Sequence, residues 1–217
     1  MKQAGLFSRI FQRVRDNQAL ENNFSSMPRR QRLERLDCII FAGLLLILQA
    51  FPAHAESDNS REYTIKAGFI YNFTKFIQWP EVVQESIENQ GLKFCIAGED
   101  PFGKALDGFS KALEENNRDL VITKGVSPKQ SATCHILFID SSVSGQLEQY
   151  LDNVKEKPTL VISDIPGFGE KGVAINFVIR RNKTRFEINP YAVKKSGIKI
   201  SSELLKLGIL VGKEEKR

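Results

Sequence analysis

Between Arg61 and Gln78 apolar side chains recur at Tyr63, Ala67, Ile70, Phe73 and Ile77, the spacing of one helical face. A second row, Phe69, Phe73 and Phe76, widens that face, and Trp79-Pro80 ends the helix because the residue before proline avoids the α region. So apolar a helix has to be covered on more than one side, either within a layered domain or partly at a subunit or partner interface. Beyond it the pattern alternates. Leu92 to Ala97 reads as a short buried strand, and Asp100-Pro101 supplies an N-cap and first-turn proline for a helix over Phe102 to Glu115. Asp119 to Thr123 reads as a strand, and Ser127 to Ala132 as a loop. Cys134 to Ile139 (CHILFI) is β-branched and the most hydrophobic run of this half, which predicts a central strand. A helix over about Ser144 to Lys155, a buried strand over Thr159 to Ser163, and a hairpin of Val173 to Ile179 and Thr184 to Ile188 follow. Short helices near Pro190 to Lys195 and Ser202 to Val211 close the pattern. Strands alternating with helices and ending in a hairpin predict an α/β fold, a three-layer domain with a mixed β-sheet flanked by helices.

The start of the chain follows another rule. Cys38 to Leu48 (CIIFAGLLLIL) is eleven residues without a charge, preceded by Arg29, Arg30, Arg32 and Arg35 and followed by Pro52-Ala53-His54-Ala55. A positive flank, a short apolar core and small residues at both recognition positions make a secretory signal peptide over 1–55, cleaved after Ala55. As a helix the core spans roughly 16 Å, about half the hydrocarbon thickness of a bilayer, too short for a retained anchor. The stretch before Met27 has no role in such a signal, and a start at Met27 gives a leader of ordinary length. Residues 56–217 are then expected to form a single exported domain.

The charge balance changes once the leader is set aside. The whole chain carries 31 Lys+Arg against 26 Asp+Glu, a net +5. Residues 1–55 hold eight of the former and four of the latter, so residues 56–217 carry 23 against 22, a net +1. A nucleic-acid surface needs clustered cations to displace counterions, and none is expected here. The remaining cluster, Arg180, Arg181, Lys183 and Arg185, reads as the polar tip of the hairpin. Of the cysteines, Cys38 goes with the leader. Cys95 and Cys134 remain in an oxidising compartment, where an even count reads as a disulfide and two buried thiols are the alternative.

Candidate chemistry is thin. Gly167, Gly169 and Gly172 in GFGEKG match G-x-G-x-x-G, but the next segment, AINFVI, is a strand rather than a helix, so a strand-connecting turn is the better reading. Asp100, Asp140 and Asp164 each follow a strand, and a parallel sheet would bring them to one edge, as in metal or phosphoryl-acceptor sites. Each also reads as a cap or turn former. His135 is the single histidine after the leader and lacks the companions of a zinc site. No G-x-S-x-G is present, and Cys134 and His135, adjacent in a strand, point to opposite faces. No catalytic constellation, metal site or cofactor is expected.

Five segments, in order, carry a resemblance: YTIKAGFIYNFTKFIQWPE, FCIAGEDPFG, CHILFI, TLVISD with GFGEKGVAINFV, and RFEINPYAVKKSGIKISSELLKLG. Together they resemble the YfiR family of secreted bacterial proteins, over nearly all of Tyr63 to Gly212. The resemblance implies a periplasmic α/β protein, able to form a homodimer, that binds and represses the periplasmic portion of an inner-membrane diguanylate cyclase and so lowers cyclic-di-GMP signalling in biofilm control. It implies a second partner, an outer-membrane OmpA-like lipoprotein that draws the repressor away. It matches Cys95 and Cys134 to the family's disulfide pair. Some relatives carry another pair near the GFGEKG loop, and this chain does not, so redox control there is not expected. Within the resemblance, Phe69, Phe76 and Trp79 are the candidate partner-binding residues, since aromatic anchors dominate interface energetics. An alternative is a periplasmic small-molecule-binding or sensor domain feeding another receptor such as a histidine kinase; a third is an enzyme using the Asp140 edge.

Overall fold

The structure is a computed structural model and describes residues 58–212. In chain order the elements are α1 (Asp58–Thr74), β1 (Ile77–Gln78), α2 (Glu81–Gln90), β2 (Leu92–Ala97), α3 (Ala105–Glu114), β3 (Leu120–Lys124), α4 (Pro128–Ser131) and β4 (Ile136–Ile139). A 3₁₀ turn (Ser141–Gln146), α5 (Leu147–Asn153), β5 (Leu160–Ser163), β6 (Ile175–Arg180), β7 (Lys183–Ile188), α6 (Pro190–Ser196), β8 (Lys199–Ile200), α7 (Ser202–Leu207) and β9 (Ile209–Leu210) follow. The leader reading concerns residues 1–55, outside the described residues.

Seven strands form one mixed sheet in the order β3-β2-β4-β5-β6-β7-β9. All pairings are parallel except the β6–β7 hairpin. Period-two alternation splits the strand side chains between two cores. Phe94, Ile96, Ile136, Phe138, Leu160, Ile162, Ile175 and Phe177 face α1 and α3, while Cys95, Ala97, Leu137, Ile139 and Val161 face α5. Helices on both faces give the expected three layers. CHILFI is an interior strand as predicted, with β4 between β2 and β5 and every residue buried.

Several local expectations are corrected. The first helix stops at Thr74, not Gln78. Lys75 N–H and Phe76 N–H close a turn on Asn72 O and Phe73 O, and Ile77–Gln78 becomes a strand paired with Lys199–Ile200. A pairing with residues 123 and 121 positions away, Ile77 with Ile200 and Gln78 with Lys199, is invisible to helical periodicity. Helix α2, after Pro80, has only Ile87 fully buried and leaves Val82 exposed, so its apolar stripe is too thin to announce it. Asp100 does not cap α3: its carboxylate accepts from Phe102 N–H and Gly103 N–H in a turn, and the helix begins at Ala105. Ser127 to Ala132 is not a loop but the one-turn α4, closed by a capping box of Ser127 and Gln130. The last helix ends at Leu207, where Gly208 lies so close to Ile188 that a Cβ would sit 2.6 Å from its Cδ1, and the chain turns into edge strand β9.

Candidate functional site

The carboxyl ends of β2, β4 and β5 lie at one edge of the sheet. The five parallel strands run, in chain order, second-first-third-fourth-fifth across it, so the connections after β2 and β4 leave toward opposite faces. In open α/β sheets ligands settle at such a switch point. A crevice of about 520 Å³ lies there, lined by Asn59 and Tyr63 of α1, Glu99 to Pro101 after β2, and Asp140 to Ser142 after β4. Its floor is tight, because Gly98 sits against Ser142 and a Cβ would meet the Ser142 Oγ, which accepts from Glu99 N–H at 2.9 Å.

The three sequence-predicted aspartates do share this edge, and each is engaged inside the protein. Asp100 pairs with Lys124 at 2.7 Å. Asp140 is buried and accepts from Ser142 N–H at 2.9 Å as the N-cap of the 3₁₀ turn. Burial pushes its carboxyl up, yet hydrogen bonds from Ser142 and Ser141 outweigh that and hold it below the usual carboxylate range. Asp164 accepts from the Tyr63 hydroxyl at 2.7 Å and from Lys66 Nζ at 2.6 Å. Among the described residues no group of three or more His, Cys, Asp or Glu is placed to hold a metal ion.

Lys66 is the group that the periodicity passed over. It is 3% exposed, and its ammonium also meets Glu62 at 2.6 Å and lies 4.2 Å from the centroid of the Tyr63 ring. Two carboxylates and a ring face are what a desolvated ammonium requires. Desolvation first, then the Asp164 carboxylate, pushes the Tyr63 hydroxyl far above its ordinary range, so it donates to Asp164 at every physiological pH. The signal was in the sequence: Lys66 stands one turn after Tyr63 on the buried face of α1, and Glu62 is its i−4 neighbour. The network ties α1 to the end of β5 and engages Tyr63, Lys66 and Asp164 with one another.

The disulfide is present, joining Cys95 of β2 to Cys134 before β4 across 39 residues, with both sulfurs in the α5-side core. His135 is buried: its Nδ1 accepts from Lys93 N–H at 3.0 Å, which requires that nitrogen to be unprotonated, and burial followed by the Lys93 charge lowers its pKa. GFGEKG connects β5 to β6 with no helix after it; Phe168 is buried, and Gly169 passes so close to the sheet that a Cβ would meet the Glu187 carboxylate. Its backbone is thus committed to packing.

The three aromatic candidates are placed differently. Phe69 is half-buried against Phe73, Phe177 and Phe186. Phe76 is half-buried at the turn after α1. Trp79 is 9% exposed, its ring in the core and its indole N–H without an acceptor among the described residues. A wider hollow of about 1670 Å³, lined by residues of α5, the 170–172 turn and α6, mixes Glu148, Asp152, Lys155, Lys171 and Lys194 and converges on no one chemistry.

A family model described as YfiR/HmsC-like matches residues 63–209. No curated protein matches the chain. Among solved structures, the ABC domain in complex with L-Trp from Streptococcus pneumonia is similar at 12% identity and a TM-score of 0.43, with 58% of each chain covered. A conserved domain protein from Vibrio cholerae is similar at 11% identity and a TM-score of 0.40, covering 61% of this chain and 58% of that one. The chain thus spans 58% of the length of either structure.

Proposed function

The chain belongs to the YfiR/HmsC-like family, and from that premise we propose that it represses an inner-membrane diguanylate cyclase by binding the enzyme's periplasmic portion. The family is periplasmic, regulatory rather than catalytic, and acts in diguanylate cyclase signalling. The observation that carries the reading is the extent of the match, which runs from Tyr63 in α1 to Ile209 in β9 and so takes in nearly all of the sheet and elements of both helical layers. The engaged state of Asp100, Asp140 and Asp164 at the sheet edge supports docking rather than turnover. Among the described residues no helix is long and apolar enough to cross a membrane. A secretory leader over residues 1–55, cleaved after Ala55, is the route to that compartment in this reading.

A repressor of this kind binds one state of its partner better than another, and a difference of about 1 to 3 kcal/mol shifts the population about 5- to 150-fold. Phe69 and Phe76, which keep part of their rings exposed, are the proposed contacts, with Trp79 as the buried support beneath the turn. An OmpA-like lipoprotein as competing partner and a homodimer as the acting form complete the proposal. Crosslinking in intact cells, followed by purification of the chain from the envelope, tests it: the cyclase should be captured by the wild type and recovered several-fold less by Phe76→Ala. A folded Phe76→Ala variant that captures the cyclase fully removes that surface from the account. The crevice at the switch point favours a second reading, a small-molecule sensor for another receptor such as a histidine kinase, in which the chain would bind its ligand between Tyr63, Glu99 and Ser142.

A further inference from the structure

The basic tip of the β6–β7 hairpin has no part in the core or in the regulatory reading, and its geometry is not that of an ordinary solvated tip. β6 pairs with β5 only through Ile175 and Asn176, and β7 pairs with β9 only through Glu187 and Ile188. The rungs from Phe177–Phe186 to Arg180–Lys183 therefore have no strand on either side, and form a two-stranded ribbon running past the carboxyl end of β5. Its base is held by Phe177 and Phe186, which pack on Phe69 and Phe73 of α1. At its tip Arg181 and Asn182 both have φ near +55°, at 53° and 56°, the tight two-residue turn of a rigid hairpin.

Strand alternation sorts the side chains of this ribbon. Arg180, Lys183 and Arg185 share one face, Ile179 and Thr184 the other, and Arg181 stands at the turn. Arg180 and Lys183 are directly opposed across the strands, an arrangement of like charges that is unfavourable in the free protein. Among the described residues the only counter-charge is Glu187, 3.9 Å from Arg180, and Arg181, Lys183 and Arg185 are exposed and without an ion pair. Ile179, on the opposite face, is 55% exposed. From Glu56 onward the chain has 23 cationic against 22 acidic side chains, and residues 178–187 hold four of the former and one of the latter. The ribbon is thus +3 and the rest of that stretch is −2, so the positive surplus is all in the ribbon.

We propose that this ribbon is a docking arm for the headgroups of an anionic phospholipid bilayer. Phosphate relieves the Arg180–Lys183 repulsion, while Ile179 enters the boundary between headgroups and acyl chains, a site that neither nucleic acid nor an acidic peptide provides. A second copy of the ribbon would bring the same charges and is repelled. The acidic remainder of the domain is turned away by the same surface, which orients the protein tip-first. The arm goes beyond the regulatory proposal and does not depend on which enzyme is regulated.

The test is co-sedimentation of protein recovered from the periplasmic fraction, its N-terminus read by mass spectrometry, with vesicles of phosphatidylcholine containing about one-third phosphatidylglycerol, and with pure phosphatidylcholine. Binding is expected to the anionic vesicles only, falling at least about tenfold in Arg181→Glu/Lys183→Glu and falling steeply as salt rises toward 0.5 M, where the screening length drops to about 4 Å. Ile179→Ser should weaken binding several-fold at fixed charge. Circular dichroism confirms that the variants fold; Arg181→Lys/Lys183→Arg, which keeps every charge, should bind as the wild type. Equal sedimentation of the wild type and Arg181→Glu/Lys183→Glu overturns the proposal. So does binding to polyglutamate without binding to the vesicles, which would assign the ribbon to an acidic protein segment.

Discussion

At the scale of single residues, burial decides which side chains are structural and which remain available. Lys66 was legible only as an interruption: a charge on the apolar face of α1 whose countercharge, Asp164, is 98 residues away. Its i−4 neighbour Glu62 was readable, but the closing carboxylate depends on the sheet register. Removing one member of a buried ion pair strands the other, so Lys66→Ala should lower unfolding free energy by about 3 to 5 kcal/mol in urea titrations. Lys66→Met with Asp164→Leu should cost less than the sum of the two single changes, because the double variant leaves no buried charge unpaired. Additive costs would mean that the two groups do not act as a pair. His135 makes a pH-dependent contribution. Its folded pKa lies below the unfolded value of about 6.5, so the unfolded chain binds more protons between the two. Stability from this group is complete above about pH 6.5 and declines as pH falls toward the folded pKa. His135→Gln should flatten that part of the melting-temperature profile, whereas an unchanged slope would assign it to other groups.

At the scale of elements, strong periodicity carried furthest. β2, β4, β5 and the hairpin were legible because short β-branched runs bounded by turn residues have few other uses. Elements defined by distant pairing were not: β1 exists because Lys199–Ile200 lies beside it, and β9 because Gly208 lets the chain come down on Ile188. The local rules for Asp100-Pro101 were obeyed in type and not in place, since the aspartate closes a turn one step before the helix. The Cys95–Cys134 link was legible as a pair only through the compartment and the family resemblance; adjacency of β2 and β4 supplies its physical basis. Closing a loop of about 40 residues stabilises by about 4 kcal/mol on chain entropy alone. Replacing both cysteines by alanine should therefore lower the urea midpoint markedly while keeping the far-ultraviolet dichroism of the folded domain. Insensitivity of the wild type's midpoint to reductant would show that the link contributes little.

At the scale of the whole molecule, the engaged carboxylates and the edge crevice are what a sequence can suggest but not decide. Three aspartates after three strands look like a metal or acceptor site until Lys66, Lys124 and the Ser142 amide are seen to meet them. At this edge Asp164 holds α1, Asp100 meets Lys124 of β3, and Asp140 caps the 3₁₀ turn. In the proposed reading the protein acts by occupying a surface of its partner, and the cell should register its loss as released activity. The decisive measurement is the cyclic-di-GMP content of cells lacking this chain, compared with cells complemented by the wild type and by Phe76→Ala. The account predicts a rise on deletion that requires the cognate membrane cyclase, reversal by the wild type and incomplete reversal by the variant. Cyclic-di-GMP that stays level when the chain is removed, with that cyclase present and expressed, would contradict it.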